Sequence, residues 1–343
     1  MDFDLSENQE LFRATVERFC GPGDVASRHA KRRHPGGIDR AAWSELAGLG
    51  LVALAASEAD GGLGGSLTDC AVVARALGQG LAVEPWLECG FLPARLLAGD
   101  ARLADVLSGG VLATLAWAEP GRRFALEAAA TSADGGKLSG EKTFVSCGAA
   151  ADLFLVSARH EGTSRLFAVP RGAAGLTVTP YAAADGSEAA MLRLDGVAVD
   201  GPLHGDLGAA IEAVRILAAA EIAGLAQRLF DDTLAYVKTR EQFGQPIGRF
   251  QVIQHRLVDA YARVEAVHSA VLRALLKPDT PPAAMKAFVA EEALWVGQQA
   301  VQLHGGMGMT DELAIGHALK RIVTLSKLFG DPAGGLAAMA RAA

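Results

Sequence analysis

Between Val111 and about Leu203 the chain leaves helical periodicity for short apolar runs and then returns to it, so it cannot fold as one uniform bundle or one uniform sheet. The short runs cover 112–117, 143–145, 153–156, 166–169, 176–178 and 190–194, set apart by clusters of Gly, Pro, Asp and Ser. Their spacing predicts a small β-domain, a barrel or sandwich. Upstream, Ser6 followed by Gln9 predicts a capping box for a helix carrying Leu11, Phe12, Val16 and Phe19 on one side. Helices are also expected over Ala41–Leu49, Thr68–Leu77 and about Leu92–Leu107, with the glycine-rich stretch Glu58–Gly65 as a loop. Downstream, Ile211, Val214, Leu217, Leu225 and Leu229 recur at helical spacing in a segment that can run from Gly208 to Lys238. Helices over Phe250–Leu276, Pro282–Leu303 and Glu312–Leu328 complete a four-helix bundle. The expected fold class is α+β: an N-terminal helical domain at 1–110, a middle β-domain at 111–205 and a C-terminal helical bundle at 206–343.

A net charge of −7 argues against a duplex-DNA footprint, which needs a concentrated basic face. The basic run Arg28–His34 is read as a solvated helix-to-loop junction. No stretch approaches the ~20 apolar residues that span a bilayer, and Asp2, Asp4 and Glu7 sit where a leader would need positive charge. Cys20, Cys70, Cys89 and Cys147 are scattered without metal spacing, which fits reduced, mostly buried thiols and a cytoplasmic location.

Two segments carry the functional signal. One runs Tyr236-Val-Lys-Thr-Arg240-Glu-Gln242-Phe243-Gly244-Gln-Pro-Ile-Gly-Arg-Phe250-Gln251; the other is Gln302-Leu-His304-Gly305-Gly306-Met-Gly308. Together they resemble the C-terminal helical domain of the acyl-CoA dehydrogenase family of flavoproteins. The resemblance extends weakly over the first third, through Phe3-Asp4-Leu5-Ser6-Glu7-Asn8-Gln9 and Gly61-Gly-Leu-Gly-Gly-Ser66. It implies three domains per subunit, with FAD at an interface where a neighbour's helical domain contacts its pyrophosphate and adenine. The implied reaction takes the α-proton of an acyl-CoA and passes the β-hydride to flavin, with electron-transfer flavoprotein as acceptor.

By that resemblance Arg240 reaches the neighbour's pyrophosphate, a task suited to a planar, permanently charged fork. Gln242, Phe243, Phe250 and Gln251 follow as polar and stacking contacts, and Gln302, Gly305 and Gly306 match the segment where backbone approaches the adenosine. For a lone arginine, an ion pair with Glu241 or Asp232 is the competing reading. In the middle domain, Ala118-Glu-Pro-Gly121 resembles a strand end that normally continues with small residues and a serine; here Arg122-Arg123-Phe124 follows. Gly140–Ser146 resembles the strand that sets an aromatic and a hydroxyl beside the flavin, with Phe144 for the usual tryptophan and Ser146 as the hydroxyl. A plain strand with one buried aromatic is the alternative.

What is absent matters as much. Removing an α-proton needs a carboxylate in a dry site. The two positions where the family carries it fall on Val214, beside Arg215, which is assigned to the substrate side, and on Phe329. Neither side chain can take a proton. Glu221, two turns beyond Val214 on an Ala-rich face, is the candidate replacement; its competing role is a buried hydrogen bond to a neighbouring helix or partner chain. Glu212 and Asp331 are two further carboxylates that could substitute, but Glu212 is expected to pair with Arg215 and Asp331 lies past Gly330; His304 is expected to bond terminal helix carbonyls. Three readings follow: the shorter, degenerate subunit of a heteromeric acyl-CoA dehydrogenase, which the stretch from Gly308 to Asp331 resembles; a self-sufficient homo-oligomer with a non-standard base; or a non-catalytic scaffold.

Overall fold

In the computed structural model, residues 4–122, 124–277 and 279–342 are described, with only the backbone given for Ala338, Arg341 and Ala342. Asp2, Phe3 and Arg123, named above, lie outside them. The helices are α1 (Glu7–Cys20), α2 (Val25–Arg32), α3 (Arg40–Gly48), α4 (Leu67–Gln79), α5 (Leu92–Leu96), α6 (Leu103–Leu107), α7 (Leu207–Thr239), α8 (Gln251–Leu276), α9 (Pro282–His304), α10 (Ala314–Lys327) and α11 (Pro332–Ala342). The strands are β1 (Ala113–Ala116), β2 (Ser132–Asp134), β3 (Lys137–Ser146), β4 (Leu153–His160), β5 (Thr163–Pro170), β6 (Leu176–Ala182), β7 (Glu188–Ala198), β8 (Glu241–Gln242) and β9 (Gln245–Pro246).

Contacts group these elements into two compact units, one of Met1–Arg28, Ala71–Ala82 and Arg215–Ala343, the other of His29–Cys70 and Val83–Val214. In the second unit, seven strands form one sheet in the order β1-β4-β2-β3-β7-β6, with β5 pairing β4. β1 runs parallel to the first half of β4, Ala113 opposite Leu153, and β2 meets β4 at Ser132 and Arg159. Inside lie Leu138, Val145, Phe154, Val156, Phe167, Leu192 and Val197. β4 is buried from Leu153 through Ala158 rather than alternating, which is why its sequence reads as a solid apolar run. β3 carries two register shifts against β7, and Gly140 at φ 142° sits in the first; a Cβ there would press on Thr131.

In the first unit the Ala-rich stretch Ala218–Ala226 of α7 is buried, and α4 crosses it at two reciprocal glycines. A Cβ at Gly224 would strike the Arg75 carbonyl, and one at Gly78 the Glu221 carbonyl. Capping is as expected at α1, where Ser6 and Gln9 bond reciprocally. Leu11, expected on its apolar side, is exposed. The helix expected over Leu92–Leu107 is instead α5 and α6, separated by Gly99 at φ 76°. The basic run is also less solvated than expected: Arg28 is buried with its guanidinium donating to the Leu81 carbonyl, and Lys31 meets Glu84 at 2.6 Å. All four cysteines are free thiols, three of them buried. Among the described residues, no helix is long and apolar enough to cross a membrane.

Candidate functional site

α7 ends at Thr239 and the chain reverses through a two-residue hairpin between β8 and β9. Its tip, Phe243-Gly244, has φ of 53° and 80°. Two positive φ values make this a type I′ turn, a geometry that suits Asn-Gly and strains a bulky aromatic. Phe243 is nonetheless there, 93% exposed and edge-on to Phe250 at 6.1 Å. Arg240 begins the hairpin; its carbonyl accepts from the Ile247 amide at 2.8 Å. The ion pair offered as the simple reading of Arg240 does not form: Asp232 pairs with Arg228 at 2.6 Å. Among the described residues, the exposed side chains of Arg240, Gln251 and Gln302 have no hydrogen-bonding partner.

Gln302 lies in the last turn of α9, which His304 closes; Gly305 follows at φ 61° and its amide returns to the Gln302 carbonyl. A Cβ at Gly305 or Gly306 would meet open space, so the local fold does not require both glycines for packing. The buried His304 ring lies flat on Tyr236 of α7, centroids 4.2 Å apart. Its Nδ1 is 2.8 Å from the Ala300 carbonyl, the terminal-carbonyl contact expected of it.

The β-domain residues are arranged differently. Phe144, at φ 51° and half exposed, sits at the second register shift of β3, so it is not the plain buried strand aromatic of the alternative reading. It packs on Phe124 at 5.7 Å, which packs on Trp117 at 5.5 Å. Ser146 is partly buried, with its carbonyl accepting from Thr114 Oγ1 at 2.7 Å. Beneath, Glu119 accepts from the amides of Ala129, Ala130 and Thr131 and from Lys142 Nζ at 3.0 Å. Burial opposes the Glu119 charge, but these donors outweigh it and hold its pKa at about 2. Burial lowers Lys142 to about 8 against the pull of Glu119.

At the positions assigned to the base, Val214 is 0% exposed and Phe329 4%. Phe329 adopts φ 62°, and its carbonyl accepts from Arg215 Nε at 2.7 Å. Gly330 follows at φ 118°, its carbonyl held by Lys286 Nζ at 2.9 Å. Arg215, expected beside substrate, therefore has its Nε engaged by this turn. The candidate base Glu221 is likewise engaged: it is buried and grips Arg321 through two contacts, Nε–Oε1 at 2.7 Å and Nη2–Oε2 at 3.3 Å. Its two carboxylate oxygens are thus both in hydrogen-bonding contact with the Arg321 guanidinium. Arg321, Lys286 and Tyr236 have no role among the sequence-based expectations. A lone acid on an apolar helix signals a buried cation elsewhere, and Lys286 on the apolar α9 carries the same kind of signal.

Three family profiles match in succession: the acyl-CoA dehydrogenase N-terminal domain at 6–90, middle domain at 114–197 and C-terminal domain at 207–342. The acyl-CoA dehydrogenase IpdE2 of Mycolicibacterium smegmatis is 32% identical over 334 residues, covering 96% of both chains. The chain belongs to the acyl-CoA dehydrogenase family. As an acyl-CoA dehydrogenase it shares the family's cofactor, FAD, and its reaction class, oxidation across a CH–CH bond. Among solved structures, a variant of the Tcur3481–Tcur3483 steroid ACAD superposes with a TM-score of 0.89 at 28% identity, covering 98% of this chain and 97% of that one. The ChsE4–ChsE5 complex from Mycobacterium tuberculosis gives 0.87 at 26%, covering 99% and 98%. The helical unit of this acyl-CoA dehydrogenase suits a dinucleotide: an unpaired guanidinium for phosphate, unpaired amides, an exposed ring and two glycines with open space above them.

Proposed function

We propose that this acyl-CoA dehydrogenase is the subunit of a heteromeric enzyme that clamps FAD across an interface, while a partner subunit supplies the base that deprotonates the acyl-CoA. One observation carries the reading. Cofactor-type side chains (Arg240, Gln251, Gln302, Phe243) are exposed and the polar ones unpartnered, whereas both base positions are buried hydrocarbon. Arg240 would pair the pyrophosphate, Gln242, Gln251 and Gln302 would bond the nucleotide's polar edges, and Phe243 and Phe250 would offer ring surface. Gly305 and Gly306 would let backbone approach the adenosine. Bound FAD supplies the hydride acceptor. Phe144 and Ser146 are the corresponding residues of the β-domain, where the Phe124 ring already covers part of Phe144.

Two relatives support the heteromeric and substrate parts of the reading. One is described as a complex of ChsE4 with ChsE5, and the other as a steroid ACAD. A steroid-derived acyl-CoA is accordingly the first substrate to test, with electron-transfer flavoprotein as the physiological acceptor.

The test is co-expression with a second acyl-CoA dehydrogenase chain from the same source and a count of flavin per chain. The expected result is a stable hetero-oligomer that reduces an artificial acceptor with acyl-CoA, loses flavin on Arg240→Ala and keeps no activity when this chain is purified alone. A yellow, active homo-oligomer would overturn the subunit reading in favour of a self-sufficient enzyme. Full flavin occupancy after Arg240→Ala would favour a scaffold.

A further inference from the structure

We infer that Tyr236 and His304 are positioning residues that hold the two arms of the flavin clamp, Arg240 on one and Gln302 with Gly305-Gly306 on the other, in fixed register. The inference rests on the reading that Arg240 and Gln302 contact FAD. Those arms come from different elements, the C-terminal ends of α7 and α9, about sixty residues apart in sequence.

Tyr236 is one turn before Arg240, whose amide bonds the Tyr236 carbonyl at 2.8 Å, so a shift of the ring carries the start of the hairpin with it. His304 is two residues after Gln302 and directly precedes Gly305. The stack between them, 4.2 Å and 23° from parallel, is thus a bridge from one arm to the other.

Each ring is fixed from its own side. A backbone carbonyl only accepts, so the contact of His304 Nδ1 with the Ala300 oxygen at 2.8 Å places the proton on Nδ1 and sets the plane of the imidazole. Beneath it, Gly308 brings the following turn against His304; a Cβ there would stand 3.1 Å from the His304 Cβ and 2.7 Å from the Val301 oxygen. A small rotation of either helix would move its arm, and a displacement of one ångström is enough to unmake a bidentate phosphate contact. A helix-end histidine bonding a carbonyl is common and accounts for Nδ1. It does not account for an aromatic partner delivered to the ring from the turn that carries Arg240.

The experiment is a double-mutant cycle on the full-length protein in its purified oligomer, read by the rate and extent of FAD release through recovery of flavin fluorescence. Tyr236→Phe keeps the stack and should release FAD like the parent. Tyr236→Leu keeps apolar bulk without the ring face and should weaken FAD binding by about tenfold. In an Arg240→Ala background the same Tyr236→Leu change should have little further effect, because the residue acts through the placement of Arg240. The thermal midpoint of the apoprotein, followed in parallel, should move little. Additive losses in the cycle, or wild-type affinity in Tyr236→Leu, would overturn the positioning role. If Arg240→Ala alone leaves FAD affinity unchanged, the cofactor assignment itself fails. His304→Gln tests the other ring and should match Tyr236→Leu.

Discussion

Glu221 and Arg321 sit one hundred positions apart in sequence and meet in a buried ion pair. Removing one partner leaves the other charged and desolvated, a loss of about 3–5 kcal/mol. Glu221→Gln is therefore expected to lower the stability of the protein by about 3 kcal/mol in urea titration; an unchanged midpoint would free Glu221 for another role. Lys142 makes a second case. It is 0% exposed and its ammonium reaches Glu119 at 3.0 Å, Ser157 Oγ at 3.0 Å and the Trp117 carbonyl at 3.3 Å. Lys142→Met should destabilise by a similar amount, about 3 kcal/mol. It should also loosen the Ala129–Thr131 turn that Glu119 holds, seen as faster amide exchange there. Both pairs show what sequence reveals at this scale. The isolated acid on an Ala-rich helix announces that a cation must come to it, but which cation is decided by how helices fold back. That is not written near either residue.

The crossing of α4 on α7 is the element-scale counterpart. Gly78 and Gly224 each face a backbone carbonyl of the other helix at a separation that leaves no room for a methyl group. Backbone cannot yield as a flexible side chain does, so Gly224→Ala should cost at least the ~1–3 kcal/mol typical of overpacking. Gly48, at the exposed end of α3, has nothing within reach of a Cβ. Gly48→Ala should instead stabilise by up to about 1 kcal/mol through helix propensity and a less free unfolded chain. Opposite signs for the two substitutions in the same denaturation assay test the assignment; a neutral Gly224→Ala would show that the crossing is looser than it stands. The long helices and most strands were legible because their apolar periods are long or cleanly bounded. α11 was not, since two glycines interrupt its pattern. One of them, Gly335, is there because it lies against the Ala283 carbonyl of α9, so a packing requirement hid the local signal. The functional hairpin was legible as a motif, yet nothing in Gln-Phe-Gly-Gln announces an aromatic at positive φ, because propensity alone would place Asn there.

At the scale of the molecule, three consecutive domains were expected from the sequence, while contacts join α1 and part of α4 to the C-terminal helices. Periodicity reads along the chain and has no access to which distant helix covers an apolar face, so that grouping could not have been read in advance. The same long-range burial traps ionisable groups, and their titration should set how stability varies with pH. Burial, with Arg75 nearby, lowers His268 from 6.5 to about 4, and Glu119 is held at about 2 against 4.5. Both folded values lie below the unfolded ones. The unfolded chain therefore binds more protons as pH falls, and stability should drop from pH 6.5 down to 4 through His268 and from 4.5 down to 2 through Glu119. Lys286 extends the dependence to the alkaline side. Burial, then the neighbouring Arg215, bring it from 10.5 to about 7, so between those values the unfolded chain again holds the extra proton and stability rises with pH. Below about pH 7 the folded protein must keep a charged, buried ammonium bonded to the Ser326 and Gly330 carbonyls. Lys286→Met removes that titration. Against that variant the parent's urea midpoint should gain steadily from about pH 7.5 to about pH 9.5, while the buried Cys70 and Cys89 thiols, both raised by burial, pull the two proteins down alike. Parallel curves for the two proteins would mean that Lys286 stays protonated throughout, and the turn at Phe329 would then be fastened by a permanent cation.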